Sequence, residues 1–436
     1  MVIIKPFKAT ILNPEIPDRE MLVCPVYDTI DEREYDKYGR VKNNVIHITT
    51  RKDGTDSSQF IDNAKKQLNR LFQDNILKEL EHPAFYIYGI RYSLPEHILG
   101  QIPDSVKRGV YFAFGLMALV KVEKLGEGNI VGHEKIFEKH SAERIELMRV
   151  CKMNFAPIAS EYNMPGHGIN NLFEQYLGFK RPDLVIRDEI PPLLDITLNG
   201  NRHLLWEITD NDIIKHIQEL MADEKVLILD GHHRYNATHK LCIQDGVDYT
   251  MMMFMEGGDR ALLLLPWHRC IKGINAKKLL QQLNRYYEII WQGDNDDEEF
   301  YKIMNARDDS YDVKIGWYDG NDFSIFRAHR DEVKKLSDSA EEKVGLDYIS
   351  LNEWIIGPFM DGNKVDNLAF CDSVTEAVKK VDKQGFDCAF LMRALSINEV
   401  EHKAHSEMKN FPQKSTLFVP KVAEGIIMRQ FRDPGI

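Results

Sequence analysis

The sequence is first narrowed by what it has little of. It has no paired cysteines: Cys24, Cys151, Cys242, Cys270, Cys371 and Cys388 are scattered, with no C-x-x-C spacing. A zinc ribbon or redox dithiol is therefore not expected, and thiols in apolar stretches read as reduced core residues. It has no excess of positive charge, since 56 Lys and Arg stand against 68 Asp and Glu, a formal −12. That argues against nucleic-acid binding, which needs a basic footprint. No apolar run is long enough to span a bilayer, and MVIIKPFKATILNPE has no signal-peptide core. The expectation is a cytoplasmic protein with no membrane partner. Three signatures are also missing. Gly126, Gly128 and Gly132 have the wrong spacing for a dinucleotide fingerprint. His133-Glu134 meets Phe137 where a metalloprotease helix needs histidine. No glycines precede Lys414-Ser415-Thr416, which excludes a Walker loop.

What is present is an ordinary folded composition, 43% hydrophobic and 28% charged over 436 residues. That length exceeds a usual single core. Alternating strand-like and helix-like stretches predict a mixed α/β protein. Val45–Thr49, Ala84–Tyr92 and Val110–Val122 read as strands, and Ser57–Leu80 reads as one amphipathic helix. A hairpin is expected over 193–209, turning at Asn199-Gly200-Asn201.

The most informative stretch is VLILDGHHRYNATHKLCI, residues 226–243. Val226–Leu229 is strand-like, Asp230-Gly231 breaks it, and Arg234–Ile243 has helical periodicity. A helix start is a natural anion site, because its first N–H groups are unpaired and its dipole favours negative charge. Gly231 lets backbone approach a ligand, and Arg234 adds a phosphate-type donor. His232 and His233 can donate, accept or shuttle protons near neutral pH. A capped helix with an Asp230–Arg234 pair would explain any one of these residues. Together they point to a ligand site. Candidate cations to complete it are His268-Arg269 and the tail Lys414-Ser415-Thr416 with Lys421. An acidic turn, Asp210-Asn211-Asp212, precedes the upstream helix. Its acids are equally good helix caps.

Several stretches, in order, resemble one prokaryotic family, domain of unknown function 1015. They are Pro25-Val26-Tyr27-Asp28-Thr29-Ile30, His133-Glu134-Lys135, Ala142-Glu143-Arg144, His203–Ile208, Asp230–Tyr235, Pro266–Arg269 and Lys414–Thr416 with Pro420-Lys421. The chain departs from the usual pattern at Val26, Ile136 and Phe411. The Asp-Gly-His-His-Arg turn is also similar to that of ParB-like free-serine kinases. This second resemblance covers about residues 183–270. It implies a ParB/sulfiredoxin-like core at 201–273, between an N-terminal α/β region at 1–200 and a C-terminal one at 274–436. It also implies nucleotide binding at the turn.

The favoured reading is phosphoryl transfer from ATP or ADP, with Mg²⁺, to a small hydroxyl metabolite such as serine. Asp230, Gly231, His232, His233, Arg234, His268, Arg269, Lys414, Ser415 and Thr416 would bind the nucleotide. Asp210 or Asp212 would act on the hydroxyl, with Glu207 as an outside candidate, and His232 or His233 would stabilise the phosphoryl oxygens. No protein metal ligands are assigned. The alternative is a non-catalytic nucleotide- or phosphate-binding regulator. A metal hydrolase built from His133, Glu134, His232, His233 and His268 ranks lower for want of ligand spacing. A ParB-type DNA clamp is disfavoured by the charge. A homo-oligomer is compatible with the sequence.

Overall fold

The apolar run Val226–Leu229 is buried in the strand Val226–Asp230, near one edge of a nine-stranded mixed sheet. Its neighbours are Ile158–Tyr162, antiparallel, and Ile130–Val131, parallel. The register slips between Ile228 and Asp230 opposite Ser160 and Ala159. Such a bulge re-aims the side chain that follows it, and here that side chain is Asp230. Gly231 then takes φ +94° and the helix His232–Asp245 begins. Two constraints fix glycine there. The left-handed φ disfavours a side chain, and a Cβ would lie 3.0 Å from the Arg234 guanidinium.

The computed structural model describes residues 1–102, 106–134, 138–178, 190–259, 261–293, 298–306, 312–336, 345–359, 367–405, 411–412 and 414–431. Lys135 and Ile136, the side chain of His140 and the acidic turn at 294–297 lie outside that description.

Along the large sheet the strands run Leu194–Leu198, Asn201–Ile208, Phe85–Tyr92, Tyr111–Lys121, Tyr249–Glu256, Ile158–Tyr162, Val226–Asp230 and Ile130–Val131, with Ile4–Lys5 also on Tyr111–Lys121. The fold is therefore mixed α/β, as expected. Its central strands read as continuous apolar runs because both faces are covered. The expected hairpin forms, with Asn199 and Gly200 at positive φ. Residue 200 thus falls inside a hairpin, and strands from both sides of it share one sheet. A second, six-stranded sheet runs Tyr287–Gly293, Phe323–Ala328, Lys314–Tyr318, Cys388–Leu391, His268–Ile271 and Leu368–Cys371. No helix among the described residues is long and apolar enough to cross a membrane.

Two expected elements differ. Residues 45–49 form the short helix Ile46–Thr49 instead of a strand. Asn44 is the cause: its Oδ1 accepts from the Ile46 N–H at 2.8 Å, and its Nδ2 donates to the Met21 and Val23 carbonyls. The long helix from Ser57 stops at Gln73. Asn75 takes φ +52°, and Leu77–Glu79 turns away to pair with Thr10–Leu12.

The C-terminal segment crosses back from the second sheet to the first. Leu417–Val419 pairs with Leu263–Leu265, Ala423–Glu424 with Cys24–Pro25, and Arg429–Gln430 with Met153–Asn154. This strap carries Lys414, Thr416 and Lys421 to the Asp230 turn.

Candidate functional site

A cleft of about 390 Å³ opens at the start of the helix His232–Asp245. Gly231 is the N-cap, and no side chain caps the first turn. Asp230, Gly231, His232 and His233 form one wall. Lys414, Thr416 and Lys421 come from the C-terminal strap, and Glu134 follows the strand Ile130–Val131. The opposite wall is Tyr27–Ile30, Thr50, Arg51, Asp53, Glu143 and Arg144.

Asp230 is the electrostatic centre of the first wall. Its Oδ2 accepts from Arg234 Nη2 at 2.7 Å, and its Oδ1 from Lys421 Nζ at 2.5 Å. Burial pushes this carboxyl up, but Lys421 and Arg234 outweigh that and hold it well below the usual carboxylate range. Lys414 stands over the Trp267 ring, its Nζ 4.9 Å from the centroid. Its backbone is left-handed, φ +57°, a conformation that a lysine seldom adopts. Three cations thus surround one ionised carboxylate beside a helix start.

Glu134 is in the opposite state. Burial pushes its carboxyl up to about 7, against the pull of Lys414. Its Oε1 stands 3.3 Å from Thr416 Oγ1. The backbone here is tied to the strap, since Phe411 N–H donates to the His133 carbonyl and residues 134 and 411 form a β-bridge. His133 Nδ1 donates to the Ile228 carbonyl at 2.9 Å, and its Nε2 faces Thr416 Oγ1 at 2.8 Å. Burial holds the His133 imidazole down to about 4. The His232 imidazole is also held well below its ordinary value, by burial first and by His133 second. Its Nε2 accepts from the His133 N–H at 3.3 Å, so its proton resides on Nδ1.

The far wall is an ion-paired group. Glu143 Oε2 accepts from Arg51 Nε at 2.5 Å and from Ser57 Oγ at 3.0 Å. Arg144 donates to the Thr49 carbonyl at 2.5 Å and lies 4.1 Å over the Tyr27 ring. Tyr27 N–H donates to the buried Glu424 at 3.2 Å. Behind these residues a cavity of about 30 Å³, large enough for one water, is lined by Arg234, Glu424, Arg144 and Tyr27 among others.

The structure brings together Asp230, Gly231, His232, His233, Lys414 and Thr416 at the cleft. It places the other candidates elsewhere. Arg234 lies behind Asp230 rather than on the cleft wall, and donates to the Pro157 carbonyl and to Asp230. It fixes Asp230 and does not line the cleft. Arg269 is buried, donating to the Trp267 carbonyl at 3.0 Å and to the Lys414 carbonyl at 3.4 Å. His268 bonds Gln101 at 2.7 Å and accepts from the Met392 N–H. Ser415 donates to the Pro412 carbonyl. Arg269 and Ser415 support the strap, and none of the three lines the cleft. Asp210 and Asp212 are also absent from its lining. Asp210 caps the helix Asn211–Met221, accepting from the Asp212 and Ile213 N–H groups. Glu134 is the acid of the cleft whose carboxyl burial pushes up to about 7. Sequence reasoning weighed Glu134 only as a metal ligand and took Tyr27, Glu143 and Arg144 only as family markers. Among the described residues no group of three or more His, Cys, Asp or Glu side chains is arranged to hold a metal ion.

The model of a family described as protein of unknown function (DUF1015) matches residues 4–347. No curated protein matches the chain. Among solved structures, it is similar to a conserved hypothetical protein from Pyrococcus furiosus, with 15% identity, 69% of this chain and 93% of that one covered, and a TM-score of 0.33. It is similar to a free serine kinase in complex with AMP, with 15% identity, 69% and 89% covered, and a TM-score of 0.34. It is also similar to C-terminally truncated SbnI from Staphylococcus aureus, with 14% identity, 71% and 85% covered, and a TM-score of 0.33.

Proposed function

This chain belongs to the family of proteins of unknown function numbered 1015, and we propose that its cleft transfers a phosphoryl group from a nucleotide, ATP or ADP, to a small hydroxyl-bearing metabolite, with serine as the first substrate to test. One observation carries the reading. A helix start with no side-chain cap, two strap lysines and a carboxyl near neutrality line one cleft.

The nucleotide's phosphates lie on the N–H groups at Gly231–His233. Lys414 and Lys421 neutralise their charge, and His233 on the same wall contacts the phosphoryl oxygens. Glu134, as carboxylate, takes the proton of the acceptor hydroxyl. That oxygen forms its bond to phosphorus as the bond to the nucleotide's leaving oxygen breaks. Such chemistry rests on positioning and charge neutralisation. A base titrating near the working pH combines a usable charged fraction with driving force. The acids of the cleft do not by themselves make a Mg²⁺ site, because both Asp230 oxygens already accept from cations. Any Mg²⁺ would arrive on the nucleotide.

The test is to incubate the protein with ATP or ADP and a panel of hydroxyl compounds led by serine, and to follow ³¹P resonances. A new phosphomonoester with matching nucleotide loss supports transfer. Saturable nucleotide binding with no phosphomonoester would overturn transfer in favour of a non-catalytic nucleotide-binding regulator.

A further inference from the structure

The proton on Glu134 can be located from hydrogen-bond directions and the burial of His133. His133 Nδ1 is 2.9 Å from the Ile228 carbonyl, which can only accept, so Nδ1 carries a hydrogen. The ring is buried and neutral, so Nε2 carries a lone pair. That lone pair faces Thr416 Oγ1 at 2.8 Å. A hydroxyl has one hydrogen, and here it must point to His133. Thr416 Oγ1 then offers only lone pairs to Glu134 Oε1 at 3.3 Å. An ionised Glu134 would put two oxygen lone pairs face to face. A protonated Glu134 donates to Thr416 and completes the chain. The opposite His133 tautomer fails, because it would set a nitrogen lone pair against the Ile228 carbonyl.

We propose that Thr416, oriented by His133, is the positioning residue that holds the Glu134 proton on Oε1 in the ligand-free cleft. It acts through Glu134 and need not touch the reacting atoms. The proposal deepens the phosphoryl-transfer reading, since it rests on Glu134 as that site's proton acceptor. The proton location itself does not depend on the reaction. The arrangement also explains why the strap enters the cleft with a threonine between two lysines. Lys414 and Lys421 favour the charged form of Glu134, while Asp230 across the cleft favours the neutral form. Arg269, from the second sheet, also senses this carboxyl. His133 and His232, the nearest imidazoles, are held neutral and add no charge. Against those cations burial retains the proton, and Thr416 Oγ1, whose own hydrogen is taken by His133, is the atom placed to accept it.

The experiment uses the full chain without nucleotide, labelled with ¹³C at glutamate. The Glu134 side-chain carboxyl resonance, assigned by its loss in Glu134→Gln, is followed across pH. Its midpoint should lie near 7 in the native protein. In Thr416→Val the protonated form loses its acceptor, and proton affinity should fall about threefold to tenfold, moving the midpoint down. Thr416→Ser keeps the hydroxyl and should keep the midpoint. An upward shift in Thr416→Val would mean that Thr416 donates to a carboxylate, and would overturn the proposal, as would no shift. If Thr416→Val does not fold, Thr416→Ala serves with the same expected direction. The result is separable from the enzyme assay. A midpoint that moves as expected in a protein that transfers no phosphate leaves this proposal standing and removes the reaction. Transfer with the wrong shift does the reverse.

Discussion

Asp230 and Glu134 line the same cleft, but their surroundings drive them apart. Asp230 sits between Lys421 and Arg234 and stays ionised far below neutrality. Glu134 has a threonine hydroxyl as its contact and only more distant cations, and burial wins. The difference shows that cation contact, more than exposure, assigns roles to two acids in one site. One becomes a fixed charge that organises lysines. The other becomes a group able to exchange a proton near pH 7. Opposed environments of this kind are the usual way one site obtains both functions.

The strongest way to break this comparison is to remove the titrating acid. Glu134→Gln keeps the shape and the Thr416 contact but abolishes proton acceptance. The rate of phosphoryl transfer should fall by roughly 10²–10⁴, with nucleotide affinity little changed. The native rate should rise with pH through about 7, because the carboxylate is the active form, and the variant should lose that limb. The same raised carboxyl has a consequence for stability. The folded chain retains a proton that the unfolded chain releases at ordinary carboxylate pH. Its contribution is therefore present at low pH and is lost as pH rises toward 7. A Glu134→Gln protein with native rate and pH profile would remove Glu134 from the chemistry.

The next test addresses the fixed charge. Arg234→Met leaves Asp230 with Lys421 alone and should cost roughly 3 kcal/mol in urea unfolding, as expected for one broken buried pair. Lys414→Met follows, with a smaller effect. Nucleotide affinity should drop by about 2 kcal/mol if Lys414 meets a phosphate. The Glu134 midpoint should rise, because the lysine that favours its charged form is gone. If instead Arg234→Met abolished nucleotide binding at unchanged stability, Arg234 would face the ligand and the two residues would exchange roles.

Which parts of this site can be read from sequence follows from how far apart its residues lie. Asp230, Gly231 and the following helix belong to one strand–turn–helix unit, so their pattern is local and legible. The Thr416–Glu134 and Thr416–His133 contacts span 282 and 283 positions. No local pattern announces such a pair, which is brought together by the strap's pairing with Leu263–Leu265 and by the bridge between residues 134 and 411. Arg234 misled for a related reason. Its type and place suit a phosphate, but the bulge before Asp230 and the Pro157 carbonyl turn it inward. In the fold, the continuous apolar runs over Phe85–Tyr92 and Tyr111–Lys121 were enough. The Ile46–Thr49 helix was not legible, because one buried Asn44 overrides a strand-like run.

Asp210 supplies the smallest and most discriminating effect, because it is an acid that the sequence offers for the role of acting on the hydroxyl. It heads the helix Asn211–Met221, and its Oδ1 accepts from Asp212 N–H at 2.9 Å and Ile213 N–H at 3.1 Å. Those bonds satisfy N–H groups that the first turn cannot pair, which fully accounts for an aspartate there. Asp210→Ala should therefore cost about 1 kcal/mol in urea unfolding. Nucleotide affinity, transfer rate and the Glu134 midpoint should all stay native. Asp210→Asn keeps the cap acceptor and should restore the lost stability without the charge. If instead Asp210→Ala and Asp210→Asn both lost transfer while only the first lost stability, the charge of Asp210 would be acting on the reaction. The acid–base role would then pass from Glu134 to the turn before Asn211–Met221. Native transfer in both would leave Glu134, with its threonine contact, as the acid on which the comparison with Asp230 turns.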